Sequence, residues 1–173
     1  MLKPDLILCL GNEVLTDDGF GAVVSRRLLA EGGLRQDVEV IFAPVAGFAL
    51  LDLLADRERV LIVDTIQTGK SAPGTLKFFE MGTLVPANHL INSHQMSLPT
   101  ALELGRRMQL AMPATVDVLA VEVEDIETLS EELTPRVADA VQGAIEAIQT
   151  WTIAELEDQT DGEDRETILA DVN

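Results

Sequence analysis

Residues 5–11 read DLILCLG, an unbroken apolar run that stops at a glycine. Runs without alternation of this kind are how strands buried on both faces of a parallel sheet look. Residues 19–30 follow with Val23, Val24 and Leu28 at helical spacing, and Gly32-Gly33 supplies a stop, so a crossover helix is predicted there. The alternation recurs. Residues 38–43 predict a second strand, 48–54 a helix with an apolar stripe, and 59–64 a third strand ending in an aspartate. Residues 74–80 are strand-like but follow too closely for a crossover helix, which predicts an antiparallel strand at a sheet edge. Leu98, Ala101, Leu102, Gly105, Met108 and Met112 mark another amphipathic helix, and 115–123 a further strand. The last helix is marked by Thr134 as a cap, Pro135 in its first turn, and a stripe of Val137, Val141, Ala144, Ile145, Ile148 and Trp151. Strand and helix in alternation predict an α/β fold with a mostly parallel sheet and one antiparallel strand.

Beyond Ala154 the pattern gives way to ELEDQTDGEDRETILADVN, which holds few large apolar groups to offset the entropy of ordering it. The expected organisation is one domain of residues 1–153 and an acidic, mobile tail of 154–173. With 173 residues, 47% of them apolar, the chain has material for one core.

Charge narrows the partners. Thirty acidic against twelve basic side chains give a net charge of −18, which would repel nucleic-acid phosphates and anionic membranes. No apolar run approaches the ~20 residues needed to cross a bilayer. Cys9 is the single cysteine and has no internal disulfide partner, and the N-terminus lacks a secretory pattern, so a cytoplasmic location is expected.

Four places could carry chemistry. Directly after the first strand stands Gly11-Asn12-Glu13-Val14-Leu15-Thr16-Asp17-Asp18-Gly19-Phe20-Gly21. Its spacing is not G-x-G-x-x-G, and two aspartates would face a pyrophosphate, so dinucleotide binding is a poor fit. Taken alone, Asp17 and Asp18 read as a cap and a solvated acid at a helix N-terminus. Asp64 closes the third strand and reads equally well as a loop cap or as a residue of the crevice beyond the strand ends. His94, with His89 nearby, lies in a polar segment before a helix, where a lone histidine is usually a surface residue. Together, two carboxylates at neighbouring strand ends and one imidazole make an O,O,N set suited to a divalent transition metal with open positions. No H-E-x-x-H or G-x-S-x-G motif is present, and burial would leave Cys9 inert.

Over roughly residues 5–152 the chain resembles the hydrogenase maturation proteases. The segment from Gly11-Asn12 through Leu15-Thr16-Asp17-Asp18-Gly19 to Gly21 is similar to that family's opening motif, whose acidic residue is a nickel ligand and corresponds to Asp18. Val63-Asp64 matches the second ligand position and Ser93-His94-Gln95 the histidine motif. Ala72-Pro73-Gly74-Thr75 resembles its turn into an edge strand, and Val123-Glu124-Asp125 with Leu129 to Pro135 its run into the last helix. One stretch departs. Where many members carry an Asp-Gly-Gly-Thr-like loop after the second strand, associated with substrate recognition, this chain has Ala43-Pro44-Val45-Ala46-Gly47.

The resemblance implies a three-layer α/β/α peptidase with a twisted five-stranded sheet. It further implies a substrate, the [NiFe]-hydrogenase large-subunit precursor, whose C-terminal extension is cut after nickel insertion. Asp18, Asp64 and His94 would be both the metal-recognising and the catalytic residues. Nickel would be carried by the substrate and bound weakly by the free enzyme, with a monomer expected. The water-activating group is left open between metal polarisation, a ligand carboxylate and Asp17. Rival functions are a nickel-sensing chaperone that does not cut, a small-molecule-binding α/β domain, and an acidic interaction module.

Overall fold

The computed structural model describes residues 3–45, 48–80 and 98–169, with side chains as far as 154. Strand β1 (Asp5–Leu10) leads through a 3₁₀ turn (Thr16–Gly19) into helix α1 (Phe20–Glu31), followed by β2 (Val38–Ala43) and α2 (Ala49–Leu54). Then come β3 (Arg59–Ile66), β4 (Leu76–Glu80), α3 (Leu98–Arg107), β5 (Thr115–Glu122) and α4 (Pro135–Leu169). The five strands form one sheet in the order β2-β1-β3-β5-β4. All neighbours are parallel except β4, which runs antiparallel to β5 at an edge.

Side chains of successive strand residues point to opposite faces, and the sheet accordingly carries two cores. On one face Ile7, Cys9, Leu61, Val63, Leu119 and Val121 pack against Phe20, Val24 and Leu28 of α1 and Val137, Val141, Ile145 and Ile148 of α4. On the other, Leu6, Leu8, Leu10, Val60, Ile62, Ile66, Val118 and Ala120 pack against Leu50 and Leu54 of α2 and Leu98 and Leu102 of α3. Strands β3 and β1 are buried along nearly their whole length, which is why their sequences show no polar alternation. This is the three-layer α/β/α sandwich expected.

The backbone of α4 continues as helix to Leu169, well past Trp151. The apolar stripe thus ends before the helix does, and no break in the helix marks residue 154. At the amino ends of the strands, Arg59 stacks over the Trp151 ring, 4.3 Å from its centre, while the indole N–H donates to buried Asp117 at 2.8 Å.

Strand order decides where a site can form. From β1 the chain crosses by α1 to β2 on one side, then by α2 to β3 on the other, so the order reverses between β1 and β3. The crevice beyond the carboxyl ends at such a reversal is where open α/β sheets bind ligands.

Candidate active site

The loop leaving β1 is wound tightly enough to bring Asp18 back over the strand end. Gly11 has φ +131°, and a Cβ there would stand 2.1 Å from the carbonyl oxygen of Asp18. The Asn12 amide donates to that same carbonyl at 3.1 Å, and the Asp18 amide donates to Leu15 at 2.8 Å. No residue with a side chain could replace Gly11 without opening this loop. The outer side of the loop is tied to the β5–α4 connection by the Thr16 hydroxyl, donating to Thr128 at 2.7 Å, and the Asp17 amide, donating to Asp125 at 3.0 Å.

Asp17 and Asp18 face different ways, and neither caps α1. Gly19 occupies the cap position of α1 with no side-chain bond. Asp17, expected as a cap or solvated acid, is fully buried. Its Oδ1 accepts from the Thr134 amide at 2.8 Å, and its Oδ2 accepts from the amides of Glu124 and Asp125 and from the Thr134 hydroxyl at 3.1–3.2 Å. Asp17 therefore closes the start of α4, and Thr134, expected as that helix's cap, spends its hydroxyl on Asp17. With four donors on it and no exposure, Asp17 is no candidate for a base that activates water.

Asp18 and Asp64 meet through Thr65. The Thr65 hydroxyl donates to Asp18 Oδ1 at 3.1 Å, and the Thr65 amide donates to Asp64 Oδ1 at 2.8 Å. Burial raises the Asp18 carboxyl above its ordinary value, with the Thr65 hydroxyl and Asn12 backbone pulling it partly back. Asp64 is almost fully buried, and its pKa is pushed up to about 7 by that burial and by the negative charge of Asp18, against the pull of the Thr65 amide. Among the described residues no lysine or arginine pairs with either carboxylate. Two acids brought together without a lysine or arginine carry excess negative charge once Asp64 ionises.

His94 and His89 lie outside the described residues, as do Ala46 and Gly47 of the divergent loop. Among the described residues no group of three His, Cys, Asp or Glu side chains gathers that could hold a metal. The structure thus joins two of the three residues singled out in the sequence. Cys9 is buried in β1, where desolvation raises its thiol to about 12, so it is not a nucleophile.

Two supporting residues escaped the sequence reading. Thr65 gave no signal beyond its place next to Asp64. Glu122, almost completely buried at the end of β5, accepts from the amides of Thr68 and Gly69 at 2.6 and 2.7 Å, and from the Thr68 hydroxyl and Lys77 ammonium at 2.7 and 3.2 Å. Burial pushes its carboxyl up, yet these bonds together hold it below its ordinary value. It fixes the loop that leaves β3 just beyond Asp64. An acidic residue directly after the apolar run from Val118 to Val121 was the available clue.

Comparisons with known proteins point to one family. A family model described as hydrogenase maturation protease matches residues 23–151. The Hydrogenase 2 maturation protease of Escherichia coli strain K12 is 31% identical over 145 residues, covering 83% of this chain and 87% of that protein. The hydrogenase expression/formation protein HupD of Rhodobacter capsulatus is 25% identical over 160 residues, covering 87% and 75%. Among solved structures, the hydrogenase maturating endopeptidase HybD of E. coli superposes with a TM-score of 0.71 at 27% identity, covering 90% of this chain and 93% of that one. The [NiFe] hydrogenase maturation protease HybD of Thermococcus kodakarensis gives 0.61 at 25% identity, covering 86% and 99%. The chain belongs to the hydrogenase maturation protease family and is an endopeptidase of that family.

Proposed function

We propose that this endopeptidase removes the C-terminal extension of a [NiFe]-hydrogenase large-subunit precursor after nickel has been inserted, reading the nickel through Asp18, Asp64 and His94. Nickel is part of the substrate in this reading. The observation that carries it is the pair of carboxylates joined at Thr65, at the reversal point of the sheet, with no cation beside them among the described residues. A divalent ion would offset the burial that chiefly raises Asp64 and the smaller repulsion from Asp18, and carboxylate oxygens with an imidazole nitrogen suit Ni²⁺.

His94 enters this reading from the family resemblance of Ser93-His94-Gln95. It stands four positions before Leu98, which packs in the same core layer as Leu10 and Ile66 at the ends of β1 and β3. Asp64 shares the strand face of Ile62 and Ile66.

In this reading the side chains act by holding. Asp18, Asp64 and His94 take open positions on the precursor's nickel and so fix the adjacent peptide bond in the crevice, converting a bimolecular encounter into an oriented one. Nickel held there would polarise a nearby carbonyl and stabilise developing negative charge. Since Asp17 is committed elsewhere, activation of water falls to the metal or to an oxygen of Asp18 or Asp64.

The test is incubation of the purified protein with large-subunit precursors, with and without nickel, followed by mass spectrometry. Loss of the C-terminal extension only from nickel-loaded precursor is expected, abolished in Asp18→Ala and His94→Ala. Cleavage of nickel-free precursor at the same rate, or wild-type cleavage by either variant, would overturn the reading.

A further inference from the structure

Between the two carboxylates stands one residue that touches both. We infer that Thr65 is a positioning residue, whose hydroxyl fixes the orientation of Asp18 relative to Asp64 so that the two acids present a preformed pair of ligands to a divalent cation. The inference rests on the function proposed above and adds to it.

Thr65 is buried, follows Asp64 directly, and lies on the opposite face of β3 from it, as alternation along a strand requires. Its two bonds are therefore made by different groups. The amide reaches back to Asp64 Oδ1 at 2.8 Å, while the side chain reaches across to Asp18 Oδ1 at 3.1 Å, a residue 47 positions earlier. Oδ2 of each acid stays outside these bonds.

The need for such a brace follows from the surroundings. Asp18 comes from a loop held by main-chain bonds and by Gly11, whereas Asp64 comes from the rigid centre of the sheet. Among the described residues no cationic side chain holds Asp18. The Thr65 hydroxyl is the side-chain donor that does. Groups that orient a metal ligand typically change metal affinity or activity by about 10–100-fold when removed.

The substitution that isolates this bond is Thr65→Val, which keeps shape and β-branching, leaves the amide bond to Asp64 intact and removes only the hydroxyl. Thr65→Ser restores a donor. Each protein is titrated calorimetrically with Ni²⁺ alone and assayed on nickel-loaded precursor, with urea unfolding as a check on the fold. Thr65→Val is expected to bind Ni²⁺ about tenfold more weakly and to lower kcat/KM on nickel-loaded precursor by a similar factor, because a misoriented Asp18 holds the metal less well. Thr65→Ser should lie within about threefold of wild type. If wild type binds Ni²⁺ and cleaves while Thr65→Val matches it in both, Thr65 is only a packing residue and the proposed function stands. A wild-type protein that neither binds Ni²⁺ nor cleaves nickel-loaded precursor overturns the proposed function, and the role of Thr65 with it. Should Thr65→Val unfold, Thr65→Ala against Thr65→Ser gives the same comparison.

Discussion

A Cβ atom on Gly21 would stand 2.1 Å from the carbonyl oxygen of Leu10. The first turn of α1 lies that close to the last residue of β1. In an ordinary helix interior, Gly→Ala gains up to about 1 kcal/mol. Here the neighbour is strand backbone, which cannot move aside without disturbing the centre of the sheet. Gly21→Ala should therefore reverse the usual sign and cost about 3 kcal/mol or more, read as a lowered urea midpoint with an unchanged slope.

Asp17→Ala should be destabilising for a different reason. It leaves the amides of Glu124, Asp125 and Thr134 without the carboxylate they share, and bonds to charged acceptors contribute about 1.5–3 kcal/mol each. A loss of about 3 kcal/mol or more is expected in denaturant unfolding. The fraction still folded at low temperature should keep cleaving, because the Asp17 side chain bonds to the start of α4 and not to the proposed metal site. An intact fold with cleavage abolished would restore Asp17 as a catalytic acid.

Asp64 makes the site a stability liability at neutral pH. Its folded pKa of about 7 lies above the ordinary 3.8, so between those values the native state holds a proton that the unfolded chain has released. Stability contributed by this group is complete below about pH 4 and is lost as pH rises to about 7. Asp64→Asn keeps an oxygen for the Thr65 amide and removes the charge. It should unfold at higher urea than wild type at pH 8, by on the order of 4 kcal/mol at most, with the difference shrinking towards pH 4.5. Equal stability at both pH values would contradict the raised pKa.

In the proposed function the same proton would compete with nickel. Below about pH 7 Asp64 must lose it before coordinating, so binding releases a proton. Ni²⁺ affinity of the free protein should fall by up to about tenfold for each pH unit from 7 to 5, and calorimetry in buffers of different ionisation enthalpy should detect the release. A flat affinity over that range would remove Asp64 from the ligand set.

At the far end of the sheet, Trp151→Phe keeps a ring beneath Arg59 but removes the donor to buried Asp117. A cost of about 2–3 kcal/mol is expected, with Ni²⁺ affinity unchanged. A shift in metal affinity would reveal coupling between the two ends of the strands.

Much of this architecture was legible in the sequence because burial writes periodicity. The apolar runs of β1 and β3, the stripe of α4 and the short connection before β4 each carried a distinct pattern, and each element formed where its pattern lay. Asp18 and Asp64 were legible as residues at the ends of neighbouring parallel strands. What the pattern did not carry was direction. Nothing in Asp17-Asp18 says which carboxylate turns inward to close α4 and which turns towards β3. That choice is made by amides of Glu124 and Thr134, more than a hundred residues away. Thr65 was hidden for a similar reason, since a β-branched residue near a strand end needs no function to explain it. The sequence pattern marks α4 only as far as its apolar stripe, while its helical backbone runs on to Leu169.

Strands β1 and β3 lie side by side in the register Leu6 with Val60 and Cys9 with Val63. That single alignment sets the height at which Asp64 emerges beside the loop that follows Leu10. A deletion of one residue inside β3 would carry Asp64 down a step and turn it through to the α1 and α4 side, while leaving the composition of the strand almost unchanged. Length changes in the turn at residues 70–73, just beyond, would leave that alignment alone. For this enzyme, evolutionary freedom in chain length should begin within a few residues of where it is forbidden.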